Sequence, residues 1–250
     1  ASFKQQLCGP AWAGSKASKS GMFERSSGSI SRTECTTNNP VFSPQSQEEL
    51  KSAVDAHLKV CAQGDCSNGA HGPIGEWDVS RVTDMSRLFL GAKSFNSDIS
   101  KWDVSRVTDM SRMFYNAKMF NGDLSEWDVS SVTNMESMFA YAESFNGDIS
   151  KWVVSSVTDM NDMFRSATSL KGDLSKWDVS RVTDMNFMFF DAASFNQRLC
   201  GAAWLNSKAS KTEMFVGSSG SISQTVCTST TVIAAFSSRD DLRKAIDACV

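Results

Sequence analysis

The chain has 250 residues, and 25 lysines and arginines nearly balance 28 aspartates and glutamates, for a formal charge of −3. This balance argues against a nucleic-acid-binding protein, which usually carries a basic excess, and the two histidines argue against a metal site built from several of them. A hydrophobic share of 41% favours a folded chain over a disordered one, and no apolar run approaches the roughly 18–20 residues that cross a bilayer.

The first 36 residues belong to a long-range duplication. Residues 3–35 match residues 195–227 with a shift of 192 positions, and the match resumes where 50–56 (LKSAVDA) pairs with 242–248 (LRKAIDA). The shift predicts that the chain is a window on a tandem array of modules of about 192 residues. We therefore interpret residues 1–36 as the C-terminal cap of a preceding module.

Residues 37–70 are predicted to form a connector with a capping helix at about 47–61. Ser46 and Glu49 have the spacing of a capping box. Apolar residues follow at helical intervals, namely Leu50, Ala53, Val54, Leu58 and Cys61. Because the open end of a repeat array exposes its core, we expect this stripe to cover the first repeat. His57 and His71 are expected to be surface or junction residues rather than general bases.

Residues 71–195 contain five repeats of 25 residues, marked by the motif WDVSRVTDM at 77–85 and its copies. Phenylalanine and alanine columns keep the same period. A methionine that recurs at one core position is typical of packing, because methionine fills irregular gaps well. The predicted core ladder consists of Trp77, Trp102, Trp127, Trp152 and Trp177 together with Met85, Met110, Met135, Met160 and Met185.

Apolar spacing within a repeat predicts one short strand and one short helix. Trp102 and Val104 are two positions apart, as on one face of a strand, whereas 110–117 carries a helical apolar stripe. Neither element can bury its apolar side alone, so we expect like elements to stack. The predicted fold is α/β, a leucine-rich-repeat-like solenoid of 25-residue strand–helix units. It would have a parallel strand ladder, a helical N-terminal cap and a disulfide-bonded C-terminal cap.

Residues 196–228 are predicted to be a degenerate sixth repeat that acts as the C-terminal cap. Leu199 continues an apolar column, but Ala202 stands in the tryptophan column, and the Met-Phe pair arrives one residue late. Residues 229–250 are interpreted as a further connector and the start of the next capping helix.

Six cysteines are candidates for disulfides. Cys8 and Cys35 are 27 positions apart, as are Cys200 and Cys227, and Cys61 lies close to Cys66. We favour disulfides over free thiols and over metal ligation, because the spacing of a zinc site is absent, and the connectivity stays open. Disulfides would indicate an oxidising compartment, extracellular or at the cell surface.

Outward positions that flank each tryptophan form a candidate interaction wall. Its residues are Asp78, Lys101, Asp103, Glu126, Asp128, Lys151, Val153, Lys176 and Asp178. Arginines that follow the strand compensate these carboxylates, which favours a hydrogen-bonded ladder over a cation site. A second aspartate column, at 98, 123, 148 and 173, is expected to accept local backbone amides rather than bind calcium. An asparagine column at 96, 121, 146 and 196 is predicted to form an inward ladder.

Nothing in the sequence predicts catalysis. A nucleophile, a base and an orienting group are singular residues in one pocket, whereas the polar residues here are repeated. Phosphate-loop, nucleophile-elbow and zinc-protease motifs do not occur. We therefore expect a protein that is not an enzyme and needs no cofactor or metal.

The run LxxWxV, followed by VTDMSxMF and FNxD(I/L)S, resembles the BspA-like branch of leucine-rich-repeat surface proteins, which includes mycoplasma surface lipoproteins and marine algal proteins. The resemblance covers about 71–195, and 46–80 resembles the lead-in to such arrays. It implies a surface-exposed or secreted interaction protein, for which adhesion is the usual role.

Two functions follow as expectations. The first is a structural and adhesive surface protein whose modules are strung into a rod or fibre. The alternative is a scaffold subunit that docks onto a larger membrane or fibre assembly through one solenoid wall. Expected partners are neighbouring modules of the same chain and other proteins or surface polymers. Nucleic acid is not expected, nor does this segment itself span a membrane.

Overall fold

The computed structural model describes residues 6–7 and 29–30 as backbone, and residues 41–64 and 69–227 in full. The chain divides into two compact units, residues 1–40 and residues 41–250. In the first unit, strand β1 (Gln6–Leu7) pairs in parallel with strand β2 (Ser29–Ile30). Gln6 lies opposite Ser29, and Leu7 lies opposite Ile30.

The second unit opens with helix α1 (Gln47–Val60), which ends one residue before the predicted boundary. The Ser46 hydroxyl accepts a hydrogen bond from the Glu49 amide at 3.2 Å, and the Glu49 carboxylate accepts one from the Gln45 amide at 2.8 Å. These bonds satisfy amides that lack an intrahelical partner. Leu50, Ala53 and Val54 are buried in the same core as the first repeats, so the helix covers that end of the core.

After the short 3-10 helix Ile74–Glu76, residues one repeat apart pair in parallel. The bridges join Asp84 to Asp109, Asp109 to Asn134, Asn134 to Asp159 and Asp159 to Asp184. A fifth bridge joins Asp184 to Ser210, one residue later than the period requires. Backbone hydrogen bonds accompany them, such as the bond from the Thr133 amide to the Thr108 carbonyl at 2.9 Å. The backbone therefore links each repeat to the next at the same position.

A second set of bonds lies in the turn segments, which are residues 85–92, 110–117, 135–142, 160–167 and 185–192. In the second of these, alternate amides donate to the following repeat at 2.8–3.0 Å, from Met110, Arg112, Phe114 and Asn116 to the carbonyls of Asn134, Glu136, Met138 and Ala140. The amides of Met113, Tyr115 and Ala117 close turns on the residue three positions earlier, for example Tyr115 on Arg112 at 3.1 Å. The Ser111 amide donates to the Asp109 side chain.

This arrangement differs from the helix expected at 110–117, since the described repeats have turns there. An α-helix uses every amide to bond the residue four positions earlier, but here every second amide is used between repeats. The chain reaches the next repeat through left-handed residues, with φ of 57° at both Arg112 and Asn116. Trp102 and Val104 alternate in burial with exposed Asp103, as a strand would, but the parallel bridge lies at Asp109 instead.

The tryptophan and methionine columns lie inside this unit. The five tryptophans are at most 4% exposed, and the five methionines are fully buried. From the second repeat on, each indole reaches back one repeat, as where Trp127 Nε1 donates to the Ile99 carbonyl at 3.2 Å. Trp77 Nε1 instead donates to the His71 carbonyl. Phenylalanine rings stack from repeat to repeat, with centroids 5.4 Å apart for Phe114 and Phe139 and 5.7 Å apart for Phe139 and Phe164. Successive repeats are thus joined through the core as well as the backbone.

Residues 196–227 keep part of the repeat and alter the rest. Strand β3 (Arg198–Leu199) pairs in parallel with strand β4 (Ser221–Ile222), and helix α2 (Ala202–Asn206) lies between them. Trp204 is equivalent to a sixth tryptophan of the column, because it is buried and its Nε1 donates to the Leu174 carbonyl at 2.9 Å. The tryptophan missing at Ala202 is therefore supplied two residues later, from the short helix.

Candidate functional site

All nine residues of the candidate interaction wall are exposed. Its aspartates accept bonds from their own repeats, as where Asp103 accepts from the Ser105 amide at 3.1 Å and from the Ser105 hydroxyl at 2.7 Å. Lys101 pairs with Glu76 of the preceding repeat at 3.2 Å, but both side chains are more than half exposed, so this pair contributes little stability. The four aspartates of the wall each accept a bond from the serine two residues later.

The second aspartate column behaves in the same way. Asp98, Asp123, Asp148 and Asp173 each accept from the amide of the serine two residues later, at 2.9–3.0 Å. These are the local bonds that the sequence predicts for this column, and each one closes a turn.

The serine bonds change the acidity of the carboxylates. Hydrogen bonds from the hydroxyl and amide of Ser130 lower the pKa of Asp128, and those of Ser180 lower the pKa of Asp178 in the same way. A bond to the ionised form favours that form. Since the pKa is lower in the folded chain, the resulting stability is fully present above the unfolded value of about 3.9. It is lost as the pH falls through the folded value.

We therefore expect the free energy of unfolding to decrease as the pH falls below about 4. Ser130→Ala should move the pKa of Asp128 back toward its usual value, because the hydroxyl donor is gone. The measurement is a carbon-13 NMR titration of the aspartate carboxyls, and Ser180→Ala is the matched control that should move only Asp178. An unchanged Asp128 titration in the Ser130 variant would contradict this account.

Val153 interrupts the wall. It stands in the column of Asp78, Asp103, Asp128 and Asp178 and is 57% exposed. Its repeat lacks the carboxylate that accepts the local amide in the others. The fourth repeat therefore presents an apolar side chain among polar neighbours.

Residues of two further columns bond to their counterparts in the neighbouring repeat. The Asn121 amide donates to the Asn96 side chain, and the Asn146 amide to the Asn121 side chain, both at 2.8 Å; this ladder is exposed, not inward as expected. The second column consists of the residues that form the parallel bridges between repeats. In it, burial raises the pKa of Asp159, and nearby carboxylates add to the effect. Asn134 breaks that row of acids and donates to Asp109 at 3.2 Å.

The cysteines of the described residues lie in disulfides. Cys200 and Cys227 are bonded, with their Cα atoms 5.0 Å apart, and Cys61 is also disulfide-bonded. Cys8, Cys35, Cys66 and the predicted next capping helix lie outside the described residues. The Cys200–Cys227 bond closes a loop of 27 positions around the degenerate repeat.

The two histidines lie where α1 meets the first repeat. His57 is 3% exposed, so the expectation of a surface residue fails there, although it is a junction residue. Its Nε2 lies 3.0 Å from the Gly64 carbonyl, and its ring meets Trp77 edge-on at 5.6 Å. His71 stacks on Phe42 at 3.8 Å. Both rings pack against the first tryptophan of the array.

Within residues 41–64 and 69–227, no three His, Cys, Asp or Glu side chains are grouped in a way that could hold a metal ion. None of the helices in the described part of the chain is long and apolar enough to span a membrane.

A cleft lies in the turn segments, at positions outside the predicted wall. Its volume is about 340 Å³, and its lining includes Arg112, Tyr115, Glu136, Tyr141, Asp162 and Arg165. Arg112 pairs with Glu136 at 2.6 Å and Arg165 with Asp162 at 3.1 Å, and the two tyrosine rings meet edge-on at 5.3 Å. The guanidinium of Arg165 also lies over Phe190, 4.8 Å from the ring centre.

The repeat motif hides these residues, because it emphasises positions that stay the same. The sequence signal for the cleft is variation between repeats. This chain has only two tyrosines, and they fall in adjacent repeats at 115 and 141. Both belong to columns whose residue type changes from one repeat to the next. The most varied surface of the array therefore differs from the surface that the sequence singled out.

Comparison with known proteins gives one family. Residues 62–163 and 123–228 match the model described as Mycoplasma protein of unknown function, DUF285. No curated protein and no solved structure matches the chain significantly. Because the two matched stretches together cover more than half of its residues, the chain belongs to DUF285, the mycoplasma BspA-like repeat family, whose function is unknown.

Proposed function

We propose that this chain is a non-enzymatic structural and adhesion protein of the cell surface or extracellular space. Its repeats would form a leucine-rich-repeat-like solenoid, and its modules of about 192 residues would join end to end as a rod or fibre. One observation carries the proposal, namely the duplication of the same strand pairing in both units. Gln6 pairs with Ser29 in the first unit, and their counterparts 192 positions later, Arg198 and Ser221, pair in the second.

The solenoid is supported by contacts that recur once per repeat. Parallel bridges, indole-to-carbonyl bonds and stacked phenylalanines each connect a residue with its counterpart in the neighbouring repeat. An array of this kind depends on nearest neighbours, which suits a chain that grows by adding modules.

The proposed location is supported by the Cys200–Cys227 disulfide. Such bonds persist in oxidising compartments and are rare in the cytosol. Surface labelling of intact source cells with a reagent that does not enter them tests the location. We expect the protein to be labelled before lysis, and labelling only after lysis would contradict it.

The rod is tested by small-angle X-ray scattering on chains with one, two and three modules. The radius of gyration of a rod rises in proportion to the number of modules, whereas that of a compact particle rises only as about the 0.38 power of chain length. We expect proportional growth. Growth with the smaller exponent would rule out the end-to-end arrangement. For adhesion, source cells that lack the protein should attach less than unmodified cells, and equal attachment would contradict that role.

The alternative function, docking onto a larger assembly through the wall, is favoured by Val153 alone. An exposed valine inside a polar column suits a contact with an apolar side chain of a partner. Val153→Asp restores the residue found in the other repeats, and on this alternative it should release the protein from its assembly. Release measured by native mass would support docking, whereas unchanged mass would count against it.

A further inference from the structure

We propose that the cleft in the turn segments binds a neutral sugar ring, held between Tyr115, Tyr141 and the two paired arginines. The inference goes beyond the proposed function, because it assigns a ligand class to a surface outside the candidate interaction wall. It also stands without the rod, since the residues that line this cleft come only from the first to fourth repeats.

The cleft exists because the third repeat carries small side chains where its neighbours carry large ones. Ala140 shares its column with Leu90, Tyr115, Arg165 and Phe190, and Ser137 shares its column with Arg87, Arg112, Asp162 and Phe187. Ala140 and Ser137 are both buried and form the floor. A notch with larger residues on both sides results, and its volume of about 340 Å³ lies within the range of small-ligand sites.

Two of the lining residues occupy backbone positions that do not suit bulky side chains. Arg112 and Tyr141 have φ of 57° and 61°, in the left-handed region that bulky residues disfavour. The column of Tyr141 holds Gly91 and Asn116 in earlier repeats, which are residue types that accept this conformation readily. The left-handed conformation itself recurs in every repeat, for example at Phe187, and belongs to the turn. What distinguishes the third repeat is that it places a bulky tyrosine ring at this position, beside the cleft.

The charges of the lining favour an uncharged ligand. Arg112 and Arg165 are matched by Glu136 and Asp162 in ion pairs, so the four formal charges cancel. An ionic ligand would therefore meet no net charge in this lining. Each guanidinium has five N–H donors and each carboxylate about four acceptor positions, so a single contact leaves further donors and acceptors for hydroxyl groups.

The tyrosines add an apolar surface to these polar groups. Their rings meet edge-on at 5.3 Å, so a ligand in the cleft meets aromatic carbon as well as hydrogen-bonding groups. A purely aliphatic ligand would cover the ion pairs without satisfying them, which is costly. A sugar ring has hydroxyls around its edge and an apolar C–H face, and it therefore matches both parts of the lining.

A peptide is less well matched, because the backbone here has no free edge. The amides of Arg112, Asn116 and Tyr141 donate to the next repeat, to Glu136, Ala140 and Arg165. The Tyr115 and Ala140 amides close turns within their own repeats. A strand added from another chain depends on unpaired backbone groups, so the ligand must be held by side chains.

The two tyrosines give a direct test, because the whole chain has no others. Uniform incorporation of 3-fluorotyrosine yields two fluorine-19 resonances, and both report on the cleft. We would titrate the full chain with neutral tetrasaccharides of glucose, N-acetylglucosamine, galactose and mannose, up to about ten times a dissociation constant of about 1 mM. At least one of them should shift a tyrosine resonance in a saturable way.

Matched variants locate the binding. Ala140→Leu fills the notch with the residue that the first repeat has at this position, and it should weaken binding at least about tenfold. Tyr115→Leu removes one of the two aromatic rings of the lining and also introduces the residue of the first repeat. It should weaken binding similarly, and it tests the proposal if Ala140→Leu does not fold. Met119→Ala, at an exposed residue outside the cleft lining, should leave the titration unchanged. Near-UV circular dichroism checks that each variant is folded.

Three results would overturn the proposal. The first is that none of the four neutral sugars moves either resonance. The second is that an acidic tetrasaccharide or a mixture of extended peptides moves them while the neutral sugars do not. The third is that binding survives in both folded cleft variants. Scattering measurements on multi-module chains are independent of all three, so failure here and failure of the rod can be told apart.

Discussion

Replacing Phe139 by alanine is expected to lower the free energy of unfolding by about 3–5 kcal/mol, the range observed when buried phenylalanines are truncated. The Phe139 ring is fully buried. It stacks on Phe114, Phe145 and Phe164, with centroid distances of 5.4, 3.9 and 5.7 Å. Truncation removes contacts within the third repeat and to both neighbouring repeats, so the loss falls on the coupling that holds the array together.

Urea denaturation, followed by tryptophan fluorescence, measures this loss. Met119→Ala is a suitable control, because Met119 is 57% exposed in an adjacent part of the array. The control should change stability by no more than about 0.5 kcal/mol. If Phe139→Ala cost as little as the control, the phenylalanine column would not be part of a shared core.

The double change Cys200→Ser and Cys227→Ser is expected to cost about 3–4 kcal/mol, because the bond closes a loop of 27 positions and so restricts the unfolded chain. The effect should be concentrated at the C-terminal end. The loop that the bond closes contains α2 and β4, and Cys200 directly follows β3; both strands are only two residues long. Elements so short have little stability of their own.

Amide hydrogen exchange measures where stability is lost. In the double serine variant, the amides of Ser223 and its neighbours should exchange faster. The amides of the third repeat, such as that of Phe139, should change little. Uniformly faster exchange across all repeats would show that the cap supports the whole array. Unchanged exchange near Ser223 would show that the disulfide is not needed there.

Repetition made the core and the first helix predictable. A residue that recurs every 25 positions meets its own copy when repeats are joined, so the columns of Trp127 and Met135 could be assigned to the interior from the sequence. The start of α1 could also be predicted, because the Ser46 side chain caps the helix and few residue types do so.

The conformation of the turn segments could not be predicted in the same way. Met110, Met113, Phe114 and Ala117 have the spacing of a helix, and the local sequence contains no residue that forbids one. The competing structure depends on bonds to the next repeat, which no local pattern reveals. Left-handed backbone at Arg112 was hidden as well, since arginine gives no sign of that conformation.

The remaining differences come from single departures from the repeat. Trp204 was overlooked because it lies two positions from its column, and only α2 brings it into line. The cleft depends on Ala140 and Ser137, which are unremarkable in themselves. Their meaning comes from the larger side chains of the adjacent repeats, so a pattern built on shared residues passes over them.

The hydrogen bonds between turn segments also align peptide dipoles along the array. In each segment, the amide of a residue such as Arg112 points toward the following repeat, while the carbonyl of the residue before it, Ser111, points back and accepts from Arg87. Peptide dipoles aligned in this way add up, as they do in a helix. In these segments the positive end faces the C-terminal side, the reverse of a helix, while fewer amides, such as that of Thr133, donate to the preceding repeat and offset part of the sum. Modules joined head to tail would therefore place opposite poles together, and an inverted module would bring like poles into contact.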